Sequence, residues 1–292
     1  MSRVLAIDLG GTRLRAGVAY STNADAVELV GEWSAPQNLG DFTEKVRGLI
    51  AEHAATHLGL GIPGLARDTT CVWVPNLRYL DGNDLSLLFP GIEIGLGNDA
   101  QFALLAEVAA GSAKGLSDAI LLAIGTGIGS AVLAGGRIIR GSGGGACSFG
   151  WAAADLSDPG EDRSGWLERH ASGRALDAAG QAIGLKDGSA LIAAARAGEP
   201  RAIAALAKPM QALGTALAGA VALLDPQAVI LAGGVASSTD VIVPPMLAAL
   251  RRQLPPHLRA IEIRAGHFGP RAGLVGAAVA GSMGREWGQR HD

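Results

Sequence analysis

Two aspartates and three glycine turns are the residues in this chain best placed, by type and spacing, to do chemistry. Each turn follows an apolar run: Asp8-Leu9-Gly10-Gly11-Thr12 after Val4–Ile7, Gly125-Thr126-Gly127 after Ala119–Ile124, and Gly233-Gly234 after Ala228–Leu231. With no Cβ in the way, backbone N–H groups at such a turn can close on an anion, and the hydroxyls of Thr12 and Thr126 add donors. Taken singly, each is also readable as an ordinary hairpin or helix cap. Three together suit a nucleotide. None is followed by the Gly-Lys-Ser/Thr of a P-loop, and none has the GxGxxG spacing of a dinucleotide fold. Asn98-Asp99 stands where a short strand meets a helix. It reads either as a helix N-cap or as a carboxylate at the carboxyl end of a strand, available as a general base. Asp8 has a similar address, and a carboxylate beside a phosphate-binding turn can hold the hydration shell of Mg²⁺. Glu168, ahead of Ser172-Gly173, falls in a helical stretch, where a solvated helix face is the plain alternative.

The elements that must position these residues follow from periodicity. Arg3–Asp8 is a short apolar strand, and Arg13–Tyr20 alternates Leu14, Ala16 and Val18 in strand period. Val27–Ser34 forms a third strand. Asp41–His57 carries Phe42, Val46, Leu49, Ile50 and Ala54 at helical spacing, with Asp41 as its N-cap. Leu58–Ile62 is a strand ending in Pro63-Gly64, and a long loop follows through Pro75-Asn76-Leu77. Ile92–Leu96 is a strand and Ala100–Ala110 a helix. Near Gly111–Ser117 a lobe boundary falls, and the strand, glycine turn, strand unit recurs over Ala119–Ala134. Beyond it come helices at 166–180, 190–197 and 201–224, a strand at 228–231, a helix at 242–253, a strand at 260–263 and a small-residue helix from Ala272. Strands alternating with helices mean an α/β fold, and the glycine hairpins make its sheets mixed. The expected division is an N-terminal lobe over 1–115, joined by the C-terminal helix at 272–292, and a C-terminal lobe over 116–271.

Composition narrows the functional classes. In 292 residues, 49% are hydrophobic and 17% charged, so the chain is not disordered. Lys+Arg 24 against Asp+Glu 27, a net charge of −3, argues against a nucleic-acid partner. Two cysteines, Cys71 and Cys147, make neither a disulfide framework nor a cysteine zinc site. No signal-peptide pattern opens the chain, and glycines interrupt the uncharged run 119–136, so a cytoplasmic protein with no membrane span is expected. The uncharged run Pro209–Leu224 reads as a buried helix.

In order along the chain, Asp8-Leu9-Gly10-Gly11-Thr12-Arg13, Gly61-Ile62-Pro63-Gly64, Pro75-Asn76-Leu77 and Gly97-Asn98-Asp99-Ala100 resemble the bacterial sugar kinases of the ROK family (repressor, open reading frame, kinase). Gly125-Thr126-Gly127-Ile128-Gly129, Leu167-Glu168-Arg169-His170-Ala171-Ser172-Gly173, Asp225-Pro226, Ala232-Gly233-Gly234-Val235 and Gly273–Ala278 continue the match. The resemblance implies a two-lobed actin-like ATPase fold of the ribonuclease H-like class, with a sugar in the cleft beside Mg-ATP. Gly10, Gly11, Thr12, Gly125, Thr126 and Gly127 would then hold phosphates, with Arg13 where the family commonly has Lys. Gly233 and Gly234 would lie under the adenosine. Asn98 and Asp99 would bind sugar hydroxyls, Asp99 as the base, with Gly64 and Asn76 at the sugar pocket and Glu168 near the anomeric end. A homodimer and, as the default substrate, glucose are implied in the same way.

The departures concern one stretch. Where the family carries Gly-Glu-Ile-Gly-His, this chain reads Cys147-Ser148-Phe149-Gly150-Trp151, so Ser148 and Trp151 stand in for a sugar-binding carboxylate and imidazole. The family's zinc cysteines are gone: Trp166, Glu161 and Pro159 occupy their positions, and packing by Trp151 and Trp166 is the expected substitute for the metal. Either the pocket is retuned for another hexose or cyclitol, or the chain is a non-catalytic sugar sensor. Asp99, Glu168 and the three intact turns favour the retuned kinase. Only seven residues precede Asp8, too few for the family regulators' DNA-binding domain.

Overall fold

A computed structural model describes residues 2–288. In chain order its elements are β1 (Arg3–Leu9), β2 (Arg13–Tyr20), β3 (Asn23–Ser34), α1 (Leu39–Glu52), β4 (His57–Ile62), β5 (Leu65–Arg67), β6 (Thr70–Trp73), α2 (Leu85–Leu88), β7 (Glu93–Asn98) and α3 (Asp99–Ala110). Then follow β8 (Ala119–Ile124), β9 (Ile128–Ala134), β10 (Arg137–Ile138), α4 (Trp166–Ala171), α5 (Gly173–Ala182), α6 (Gly188–Arg196) and α7 (Pro200–Leu224). Last come β11 (Ala228–Ala232), α8 (Thr239–Gln253), β12 (Glu262–Ala265) and α9 (Ala272–Met283). Internal contacts divide the chain into one unit of residues 1–116, 131–147 and 270–292 and another of 117–130 and 148–269. The segment 131–147, expected with the second lobe, groups with the first unit, where Gly144 lies against the backbone of Ala66 and Gly145 against Leu65.

The sheet of the first unit has the order β3-β2-β1-β4-β7, antiparallel on the β2 side of β1 and parallel on the other. Strand periodicity splits β1 between two faces. Leu5, Ile7 and Leu9 join Phe42, Val46 and Leu49 of α1 in a buried cluster. Val4, Ala6 and Asp8 point the other way, to the face covered by α9. That face is nearly flush backbone, because Gly59 and Gly61 of β4 stand level with Gly95 and Gly97 of β7. A methyl group at Gly59 would overlap the carbonyl of Ala277, and one at Gly95 the carbonyl of Ala280. From its side α9 offers Gly276, against the backbone of Phe102 in α3, and Gly281, against Gly59.

The second sheet has the order β10-β9-β8-β11-β12, with β8, β11 and β12 parallel. All five residues of β11 are buried, as a central parallel strand requires. In the second unit α7 packs on α8, with Leu206, Met210, Leu213, Leu217 and Val221 buried at helical spacing while Ile203 and Leu223 stay exposed. By length and composition α7 could cross a membrane, and its buried stripe is equally that of a core helix.

Several boundaries depart from the sequence reading. Asn38, not Asp41, caps α1: its Oδ1 accepts the N–H of Asp41 at 2.9 Å. The expected loop before Pro75 contains the β5–β6 hairpin. The single helix expected over 166–180 is two, broken at Ser172, whose extended backbone and hydroxyl cap α5. The last strand runs two residues later than periodicity placed it, and β10 was not foreseen.

Two glycine substitutions should have opposite signs. Gly59→Ala drives a methyl into the backbone of α9 and should destabilise the fold by about 3 kcal/mol or more. Gly48→Ala, exposed on α1 with nothing near the new methyl, should stabilise by about 0.5–1 kcal/mol. Urea unfolding of both variants checks the pair.

Candidate active site

In the first unit, register brings the carboxylates to one edge of the sheet. Asp8 of β1 pairs with Gly61 of β4, and Gly61 with Gly97 of β7, so the ends of β1 and β7 lie two strand spacings apart, roughly 10 Å. Asp8 also stands opposite Arg15 across the β1–β2 hairpin, and its Oδ2 is 3.9 Å from Arg15 Nη1. Burial raises the pKa of Asp8, Arg15 opposes that rise and Glu32 adds to it. Its carboxyl group nestles against Gly273 in the first turn of α9, where a Cβ would come within 3.1 Å of it. Arg13 and Arg15 share Glu32 on β3, at 2.7 and 3.1 Å, which holds the Glu32 carboxyl below its usual range. The turn is closed by Gly10 N–H donating to Arg13 C=O at 2.8 Å, and the Asn76 side chain packs on Gly11.

Asn98 is a helix cap with a second engagement. Its Oδ1 accepts from Ala100 N–H at 3.0 Å and Gln101 N–H at 3.4 Å, while Gln101 Oε1 takes the Asn98 N–H. Its Nδ2 donates to the Gly64 carbonyl at 3.2 Å, which ties α3 to the turn after β4. The cap therefore leaves one amide hydrogen of Nδ2 over. Asp99 opens α3. Burial first, and then repulsion from Asp8, pushes its pKa up to about 6 against the opposing Ala100 N–H. A carboxylate poised there suits general-base work near neutral pH.

The second unit holds the other candidate residues. Glu168 is not on a solvated face: its Oε2 accepts the Ile128 N–H at 3.2 Å and its Oε1 is 2.9 Å from Arg174 Nη2. Arg174 Nε also donates to the Thr126 carbonyl at 3.2 Å, and Gly173 N–H to that of Gly125 at 2.7 Å. The Gly125–Gly127 turn is thus held by the start of α5. Gly233, at φ +77°, lies on the backbone of Ile124 just before that turn, a conformation and an approach that need glycine. Gly234 begins a 3-10 turn.

Ser148 is exposed and leads a 3-10 turn, Phe149–Trp151, in which the Trp151 indole is 53% exposed. The expected packing by two tryptophans holds for one of them. Trp166 is buried and stacks on His170 at 4.5 Å, while Trp151 stands out. Segment 152–165 is instead pinned by Arg169, which takes both oxygens of Asp158 at 2.7 and 2.6 Å, donates to Ser164 C=O and lies 3.7 Å from Glu161. Among the described residues no group of three or more metal-type ligands comes together. Sequence reasoning missed Arg15, Glu32, Arg169 and Arg174. Arg15 was within reach, since a hairpin closing at Gly10-Gly11 sets it opposite Asp8; the others depend on tertiary contacts.

Two sheets of this make-up, each with a glycine turn after its first strand, define an actin-like ATPase fold. The chain belongs to the ROK family, whose family model matches residues 4–281. A glucokinase of Streptomyces coelicolor is 28% identical over 95% of this chain and 97% of its own length. An N-acetylmannosamine kinase of Shigella flexneri is 30% identical over 94% and 97%. The solved ROK family glucokinase of Streptomyces griseus, in complex with glucose and AMPPNP, superposes with a TM-score of 0.80 at 25% identity, covering 97% of this chain and 100% of that one.

The Arg169 cluster sets an expectation for metal and pH. Purified protein should carry far less than one zinc per chain by elemental analysis. The Asp158 carboxyl is held below its usual range by Arg169, so its contribution is present above the unfolded pKa, near 3.8, and is lost as pH falls through the lower folded one. Arg169→Gln should therefore speed amide exchange in 152–165 at pH 7, and wild type should show the same loosening only below about pH 4.

Proposed function

We propose that this protein is an ATP-dependent kinase that phosphorylates a hydroxyl of a hexose or hexose-like substrate. The observation that carries the reading is Asp99: a half-buried carboxylate with a raised pKa, at a strand end on the same sheet edge as the Asp8–Thr12 turn. Phosphoryl transfer asks a protein mainly for positioning and charge stabilisation. Asp99 takes the proton of the attacking hydroxyl. Asn98, fixed by its cap and by Gly64, offers its remaining amide hydrogen to a hydroxyl oxygen. The amides and hydroxyls of Gly10–Thr12 and Gly125–Gly127 receive phosphate oxygens, with Arg13 nearby in charge. Gly233 and Gly234 leave a flat backbone for the adenosine. Asn76 and the unshared lone pairs of Glu168 complete the hydroxyl contacts.

Asp8 is a carboxylate of the kind that holds the hydration shell of Mg²⁺, with phosphates completing the set. Asp8 would hold the ion there through water, and the chemistry it would supply is neutralisation of charge on the ATP phosphates. A homodimer in the cytoplasm is part of the same reading, and light scattering of the purified protein tests the oligomer.

The substrate side is argued from Ser148 and Trp151. A short hydroxyl replacing a carboxylate loses a charged acceptor, at about 1.5–3 kcal/mol. An exposed indole offers an apolar face to an N-acetyl or deoxy group. The 30% identity to an N-acetylmannosamine kinase runs in the same direction. The rival reading, a sensor that binds sugar without turnover, is favoured only by the Ser148 and Trp151 replacements.

Three outcomes are expected. Asp99→Asn should keep its fold and lose about two to four orders of magnitude in kcat. Because the base must be ionised, wild-type kcat/KM should fall as pH drops through about 6. Steady-state kinetics should also give N-acetylated or deoxy hexoses, or a cyclitol, a KM about 10- to 150-fold below that for glucose. Sub-millimolar KM for glucose with full kcat would discard the retuned pocket, and binding of a sugar with no turnover of ATP would favour the sensor.

A further inference from the structure

The turn Gly125-Thr126-Gly127 has its peptide planes set from one side. Gly173 N–H holds the carbonyl of Gly125 at 2.7 Å, and Arg174 Nε holds that of Thr126 at 3.2 Å. In a trans peptide the N–H points opposite to the C=O. The N–H groups of Thr126 and Gly127 therefore face away from α5, side by side, in the arrangement that receives an anion. Neither has an acceptor among the described residues. Arg174 is itself aimed by Glu168, at 2.9 Å, and Glu168 reaches past the turn to Ile128 N–H at 3.2 Å. No Cβ fits at Gly127 without meeting Glu168 Oε2 at 2.7 Å, so carboxylate and turn are in contact along their length.

We propose that Arg174 is a positioning residue through which the Glu168 carboxylate aims the phosphate-facing amide of Gly127, beside the Thr126 amide that Gly173 sets. Resting on the kinase reading, this adds a direct link between the group that receives the acceptor's hydroxyls and the group that receives nucleotide phosphate. A hydroxyl bound at Glu168 draws on the same carboxylate that orients Arg174, so acceptor and nucleotide sense each other through one guanidinium. Planarity matters here. Two donors of a rigid fork reach two acceptors at once, and a lysine ammonium on a flexible stem replaces the charge without that geometry. The Arg174 side chain is 63% exposed, so its removal should leave the fold intact.

A double-mutant cycle read by calorimetric binding of AMPPNP, without any sugar, tests this. Glu168→Gln and Arg174→Met should each weaken AMPPNP about tenfold, and the double variant no more than the weaker-binding single. Arg174→Lys should match Arg174→Met within about twofold, with thermal midpoints near wild type throughout. Restoration by lysine would mean that simple charge attraction is at work, and additive or absent effects would mean no path through Arg174; any of these overturns the proposal. Wild type that binds AMPPNP while the cycle is additive leaves the kinase reading standing. Wild type that binds no nucleotide removes that reading and this one together.

Discussion

The closeness of α9 to the first sheet is the constraint on which the rest hangs. Backbone meets backbone at Gly59, Gly95 and Gly281, and Gly276 meets the backbone of α3 in the same way. A contact of this kind transmits position with little slack, since a packed interior resists displacement. It sets the level at which the first turn of α9 meets Asp8, and it lets Phe102, Gly61 and Gly97 bring the start of α3, with Asn98 and Asp99, to the same edge.

Electrostatics then divides the work between residues of like type. Asp8 and Asp99 are both carboxylates near one sheet edge, yet Asp8 has an arginine across its hairpin, while Asp99 has a helix N-terminus and the neutral Asn98 side chain. The arginine opposes the cost of burying Asp8; Asp99 keeps most of that cost, and repulsion from Asp8 adds to it. Different tasks for two aspartates follow from their neighbours, not from their chemistry. Glu168 is a third case, a carboxylate whose partners are an amide and a guanidinium.

Much of this was legible in the chain before its coordinates. Alternation in Leu14, Ala16 and Val18, the apolar run of Ala119–Ile124 and the glycine turns behind the first strands lead directly to β2, β8 and their turns, because those signals are local. Asn98 was readable as a cap, and its two oxygen-bound amides bear that out, while its side-chain amide reaches the Gly64 carbonyl as well. What stayed hidden is what depends on distant partners. Asn38 wins the cap of α1 over Asp41 by geometry that composition does not show. Ser172 breaks a helix whose periodicity runs on, and the break is what frees Gly173 and Arg174 to hold the turn. Arg169 takes over a segment that tryptophans were expected to hold, because a guanidinium eleven residues from Asp158 announces nothing in a linear pattern.

The placement of α9 also bears on how the protein comes into being. Asp8 is made long before Ala272–Met283, the helix that covers its side of the sheet. At ribosomal speeds of about 5–20 residues per second, that interval is on the order of tens of seconds. Throughout it, the glycine face of β1, β4 and β7 has no lid, and Asp8 lacks its helix. A growing chain thus carries its first glycine turn early but cannot seat it, and the second unit is complete before the first is closed. Synthesis order alone keeps the first sheet uncovered on that face until α9 has emerged.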